Sequence, residues 1–240
     1  MADRSSFPSE LEQEIFETAA VAYPKTIPTL LLVCHRVHVW IEPLLYRVLQ
    51  MDKEPAISGI AAALKSKPAG FFQKAVRHIF LDLSLWRHVH TEANLRILKT
   101  LSPIDNLVIM NYSSSDSASH QHLVEKRINR LGLFLTWVLR YPVDLKKPMF
   151  SSVTHLLIHN AHDGGGQEWS DLVSLRALTH LCLSQHISSS ILPNVLSQCP
   201  RLHVVIRMWA DRQSAEMFSE TLTITDSRLR WRAWEPSTFM

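Results

Sequence analysis

The sequence predicts an α/β chain in two parts: three short helices over residues 1–52, then an irregular array of repeating strands forming a curved parallel sheet over residues 53–240. Three observations predict this. In the first part, apolar residues recur at helical spacing and are punctuated by prolines. Beyond residue 75 the period changes to short strand-like stretches that return at regular intervals. The composition is globular, with 46% hydrophobic and 20% charged residues among 240, enough for a sizeable core and far from the disordered regime.

Ser9 followed by Glu12 has capping-box spacing, in which the serine satisfies one free amide of a first turn and the glutamate another, so a helix is expected to begin there. Leu11, Ile15 and Ala19 fall on one stripe with Phe16 beside it, and Glu10, Glu14 and Glu17 mark the wet side. Tyr23 and Pro24 end it, because proline disfavours helical geometry in the residue before it. Thr26 is placed to cap a second helix, with Pro28 tolerated in its first turn and Leu30, Val33, Cys34, Val37 and Ile41 as its apolar stripe. Pro43 is expected to break that helix and open a third, carrying Leu44, Leu45, Val48 and Leu49. Three such helices bury too little apolar surface by themselves, so the unit needs a partner.

The stretches "FPSELEQEIF", "LLLVCHRVHVW" and "EPLLYRVL", over residues 7–49, resemble the F-box. More specifically, the sequence is similar to F-box-like proteins with leucine-rich C-terminal regions, which are abundant in fungi. Phe7 and Pro8 stand at the family's Leu-Pro, Leu11, Ile15 and Phe16 on its first helix, and Val33 and Cys34 in its second. Phe7 replaces the usual leucine, Val37 sits where tryptophan is commonest, and Trp40 comes three positions later. The resemblance implies docking on a Skp-type adaptor of a cullin ubiquitin ligase. The expected docking residues are Phe7, Pro8, Leu11, Ile15, Phe16, Leu30, Val33, Cys34, Val37, Leu44 and Leu45.

Five stretches then fit a template of apolar, any, any, apolar, any, apolar: "VRHIFL" at 76, "IDNLVI" at 104, "VTHLLI" at 153, "LTHLCL" at 178 and the looser "LHVVIR" at 202. Their starts are separated by 28, 49, 25 and 24 residues, the interval of leucine-rich repeats, with one gap long enough for two units. Between them, "EWSDLVSLRA" and "SSSILPNVLSQCP" carry helical signals. "LVEKRINRLGLFLTWVLRY" places Val124, Ile128, Leu131, Leu135 and Val138 on one face of an expected long helix. Strands alternating with helices at this interval imply parallel connections and a leucine-rich-repeat-like solenoid. The asparagine expected late in each repeat is displaced to Asn111 and Asn160 or replaced by Gln185, so the solenoid is expected to be distorted. "SSSDSASHQH" reads as a surface loop, and "RLRWRAW" as an amphipathic strand closing the array.

In this register the first, fourth and sixth template positions point inward and the third, fifth and seventh outward. The third positions are His78, Asn106, His155 and His180, the fifth Phe80, Val108, Leu157 and Cys182, and the seventh Asp82, Met110, His159 and Ser184. His155, Leu157, His159, His180, Cys182 and Ser184 are the expected target-binding residues, with partial cover from the tail beyond Trp209. Adjacent strands lie about 4.8 Å apart, so His155 and His180 are expected to be ladder neighbours. Such a pair is capable of binding metal or sensing pH, but no HxxxH or paired cysteines accompany it, and no metal or cofactor is expected.

Enzyme signatures are missing from the sequence. "HDGGGQEW" at 162–169 lacks the Lys-Ser or Lys-Thr of a phosphate loop and reads as a turn, and no serine sits in a GxSxG context beside His162 and Asp163. The net charge of +3 and the lack of a like-charged block argue against a nucleic-acid partner, and the Arg228 to Arg232 stripe is short. Cys34, Cys182 and Cys199 are odd in number and widely spaced, as in a reducing compartment. The polar N-terminus and the lack of long apolar runs lead to the expectation of an intracellular protein, cytoplasmic or nuclear, with no membrane partner.

The expected function is therefore non-catalytic: a substrate-recognition subunit that joins a ligase scaffold to a target protein. The alternative is a repeat scaffold whose front helices only cap the array. If Leu11, Ile15, Val33 and Cys34 all pack on residues beyond 55, the cap is favoured; if several face solvent, docking is.

Overall fold

A computed structural model describes residues 7–83, 99–101, 104–112, 127–135, 143–159, 169–221 and 224–233. Helices α1 (Ser9–Ala22), α2 (Ile27–Leu30) and α3 (His35–Leu45) come first, followed by strand β1 (Val48–Met51) and helices α4 (Glu54–Ser66) and α5 (Phe71–Ala75). The remaining strands are β2 (His78–Asp82), β3 (Ile104–Tyr112), β4 (Ile128–Leu135), β5 (His155–His159), β6 (His180–Ser184), β7 (Val204–Trp209) and β8 (Leu229–Ala233). Helix α6 (Leu192–Gln198) precedes β7, and α7 (Arg212–Thr221) precedes β8. All eight strands form one sheet in chain order, every neighbouring pair parallel, as a leucine-rich-repeat-like solenoid requires.

Strand alternation sends every second side chain inward. The row Leu49, Ile79, Leu107, Leu131, Leu156, Leu181, Val205 and Leu229 runs through the ladder from edge to edge, and none of the eight exceeds 7% exposure. Each such buried side chain stabilises the sheet by about 1.5–3 kcal/mol relative to exposure, so this row is a main source of cohesion. A second inward row, Met51, Leu81, Ile109, Leu133, Ile158 and Leu183, is fully buried and ends on Arg207. Arg207 is 2% exposed and donates through Nη2 to the Ile187 carbonyl at 2.6 Å, clipping β7 to the chain after β6.

Two amides tie successive turns together. Asn111, in left-handed backbone at φ 55°, donates to Asp82 Oδ1 at 2.8 Å, and Gln185 Oε1 accepts from the Ala210 amide at 2.9 Å. Asn160, "SSSDSASHQH", His162 and Asp163 lie outside the described residues. In "SSSILPNVLSQCP" a short 3-10 turn leads into α6, whose Leu192, Val195 and Leu196 are buried with Cys199 behind them. "RLRWRAW" supplies β8, parallel to β7.

Three sequence expectations about element boundaries are corrected. Val48 and Leu49 belong to β1 and not to a third helix, because β2 offers Val48–Met51 a ladder and Leu49 and Met51 then share the buried side. Ile128, Leu131 and Leu135 belong to β4 rather than a long helix; β3 and β5 pair with it on both sides, and Val124 and Val138 lie outside the described residues. β4 occupies the gap whose length already allowed two units. Pro43 lies inside α3, in its last turn, and the helix runs on past it to Leu45 rather than breaking there.

The capping box does not form. Pro8 is the N-cap of α1, the Ser9 hydroxyl donates to Glu10, and Glu12 Oε1 instead accepts from Arg36 Nη2 of α3 at 2.8 Å. Thr26 precedes α2 as expected, but its hydroxyl donates to the Tyr23 carbonyl at 2.7 Å rather than capping the helix.

Candidate functional site

The front helices build a small core of their own. Ala20 from α1, Ile27 from α2, and Val37 and Ile41 from α3 are buried together, with Phe16, Leu30, Leu31, Trp40 and Leu44 packed around them. This core is separate from the one beneath the sheet. The apolar stripe expected for one second helix is split here: the chain turns at 31–34, so Leu30 and Val37 face inward while Val33 and Cys34 do not.

So small a core leaves much of the unit's apolar surface uncovered. Phe7 is 58% exposed, Leu11 48%, Ile15 57% and Val33 54%, and Pro8, Cys34 and Leu45 are exposed as well. Phe7, Leu11, Ile15, Ala19, Ala22 and Tyr23 line a groove of about 500 Å³ along α1, with Glu14 and Thr18 at its edge. The helical step of three to four brings them onto one face. Val37 differs from the expectation: at 0% exposure it supports the unit from inside and presents nothing to a partner. Phe16, Leu30 and Leu44 are half-buried, packed on this core with part of each side chain left uncovered. Leu32, 85% exposed in the turn after α2, extends the uncovered apolar surface and was missed because turns carry no period to read.

The unit is fixed to the chain behind it by polar and aromatic contacts. Lys67 Nζ lies 2.5 Å from Glu42 Oε1 of α3. This hydrogen bond is the main reason the Glu42 carboxyl is held below its ordinary value and the Lys67 ammonium above its own. Tyr46 packs edge-on to Phe71 and Phe72 of α5.

The second candidate face is the outward side of the sheet. His155 and His180 are ladder partners whose rings stack with centroids 4.1 Å apart and planes 3° apart. Burial, then His180 and Arg130, lowers the proton affinity of His155 below the ordinary imidazole value. His159 is lowered by burial and by His186, and its ring lies 4.9 Å from that of Phe134. Leu157 and Cys182 pair side by side, and burial pushes the Cys182 thiol up to about 12, so it is no nucleophile at neutral pH. Ser184, expected on this face, is 2% exposed and out of reach of a partner. The expected cover by the tail is not seen among the described residues, since β8 extends the sheet edge instead of crossing its face.

No protein-family model matches the chain, and no curated protein matches it. Its chemistry is therefore read from the two faces alone. Among the described residues no cluster of three or more His, Cys, Asp or Glu is arranged to hold a metal, and no helix is long and apolar enough to cross a membrane. Sequence reasoning missed Arg130 and Gly132, which lie between β3 and β5 on the outward face, because β4 was read as helix.

Proposed function

We propose that the protein is a substrate-recognition subunit of a cullin-type ubiquitin ligase, working inside the cell without catalytic residues of its own. Its front helices dock on a Skp-type adaptor, and its distorted leucine-rich-repeat-like array presents a target protein on the concave side of a curved sheet. The single observation that carries this reading is the exposed apolar groove along α1, beside which the unit also leaves Val33 uncovered. Apolar area of this extent beside a minimal core is the surface a partner helix is suited to cover. Leu11, Ile15, Val33 and Cys34 all face solvent, the arrangement docking demands. Ubiquitin transfer then rests on proximity: a target held near a charged conjugating enzyme reacts at raised effective concentration.

A second reading keeps the helices as a cap on the repeat array. It is supported by the Glu42–Lys67 pair and by Tyr46 on Phe71 and Phe72, which fasten α3 to the chain around α5. Capture of purified Skp-type adaptor separates the two. The docking reading expects recovery by the intact chain and loss with an Ile15→Asp, Val33→Asp variant that keeps its circular dichroism spectrum. Equal recovery by both, or none by either, favours the cap.

A further inference from the structure

On the reading that the repeat face recognises a target, we propose that the site around Gly132 binds an extended peptide segment in which an apolar side chain stands two positions from a carboxylate. The apolar group fills the trough above Gly132, and the carboxylate meets Arg130, His155 and His180.

The trough follows from one missing side chain. The outward row reads Phe80, Val108, Gly132, Leu157, Cys182 and Ile206 across β2 to β7, apolar at every strand except β4. At Gly132 an added Cβ would stand 3.3 Å from Val108 Cγ2 and 3.7 Å from Leu157 Cδ2. Those two side chains flank Gly132 within a depression of about 370 Å³ that continues past Cys182 to Ile206 and includes Arg130, His155 and His180. An extended peptide spaces alternate side chains on one side, so one apolar group can enter while the side chain two positions along reaches the rim.

The rim supplies the charge argument. Arg130 is exposed and has no acidic partner among the described residues. The carboxylate of Asp105, beside Asn106 whose ladder partner is Arg130, already stands 3.9 Å from Arg77. The histidines add a second element. The Thr154 hydroxyl donates to the Asn129 carbonyl at 3.0 Å and the Thr179 hydroxyl to the Thr154 carbonyl at 2.9 Å. Each hydroxyl has a single hydrogen, so its 2.9 Å contact with Nδ1 of the next residue, His155 or His180, is made by a ring N–H donating to it. Nε2 of both rings is then left without its proton when the rings are neutral, and proton uptake converts it to a donor for a carboxylate. The charged and titratable groups around the pair are Arg130 on β4, His203 edge-on at 6.1 Å from His180, and the buried Cys182 thiol. None is a carboxylate, so the ligand supplies the countercharge.

The test uses the full chain on an array of short peptides in an otherwise Gly and Ser frame, with one Ser between the two varied positions, which read Leu-Glu, Leu-Gln, Ala-Glu or Leu-Lys. Leu-Glu is expected to be retained about tenfold better than the other three, and better still as pH falls from about 7.5 to about 5.5. Arg130→Gln, at an exposed position, is expected to erase the preference for Glu over Gln, and Gly132→Leu to erase that for Leu over Ala. Leu-Gln equal to Leu-Glu, unchanged selectivity in Arg130→Gln, or no retention of any peptide overturns the proposal. So does displacement by free octanoate at peptide concentration, which points to a small amphiphilic acid instead. Adaptor capture on the same variants keeps the two readings apart: peptide selectivity without adaptor binding leaves this site standing and sinks only the ligase assignment.

Discussion

Ile15→Asp is the sharpest perturbation of the front unit. In the free chain Ile15 is 57% exposed, so its replacement exchanges one wet side chain for another; helix propensity adds a few tenths, and the folding change stays within about 0.5 kcal/mol. In a complex that closes over the groove, the remaining uncovered surface of about 80 Å² at about 25 cal/mol/Å² is worth about 2 kcal/mol, and a carboxylate there must also be desolvated. Adaptor affinity should therefore fall by about 30-fold or more. Val37→Asp is the control: at 0% exposure, among Ala20, Ile27 and Ile41, it buries an unpaired charge and should melt the front helices outright. Calorimetric titration with adaptor, paired with thermal melts followed by circular dichroism, reads both quantities. The reasoning is refuted if Ile15→Asp melts the chain as Val37→Asp does, or if it binds adaptor as tightly as the unaltered protein.

Other predictions follow from the sheet and its attachments. His78, His155 and His159 bind protons less readily when folded, burial being the largest cause for each, so the unfolded chain takes up protons first; stability is full above about pH 6.5 and declines as pH falls towards the lowered folded values. Melting temperature should drop between about pH 7.5 and about pH 5.5 and drop less in His155→Gln, and a flat profile contradicts this. Iodoacetamide in native buffer should label exposed Cys34 first, with Cys182 and buried Cys199 reacting only on unfolding; mass spectrometry of the peptides reads the order. Arg207→Ala should cost about 3 kcal/mol in urea unfolding by leaving the Ile187 carbonyl without its buried donor and opening a void under β7, and a loss below about 1 kcal/mol would remove that clip from the account. Glu42→Gln should cost about 1 kcal/mol or less; because Lys67 holds the folded carboxyl low, this contribution is present above about pH 4.3, lost as pH falls through the folded value, and read as a convergence of the two acid melts.

The strands that were legible from the sequence are those whose two periods do not compete. In "VTHLLI" and "LTHLCL" the apolar positions alternate, and turn residues flank them, so β5 and β6 fall where the template puts them. In "INRLGLFL" Leu131 and Leu135 satisfy a helical step as well as a strand's alternation, and Ile128 favours the helix. Only the ladders with β3 and β5 break the tie. That misreading hid Gly132 and Arg130, the residues that shape the outward face. β1 was hidden similarly, since four residues carry too little pattern without β2 beside them. On the front unit, Leu11, Ile15 and Val33 were picked out as apolar, but exposure depends on what packs against them, and Val37 shows how the same residue type at the next turn is sealed instead.

By itself the sequence determined the change from helical to strand period near residue 75, the repeat interval, the closing strand and the inward and outward registers, because each depends on spacing along the chain. The tertiary structure alone decided which apolar residues are covered, where Glu12 spends its carboxylate, and whether an ambiguous run is strand or helix. These are outcomes of contact between segments far apart in sequence, and a ladder partner or a packed neighbour contributes more free energy than the local preference it overrides.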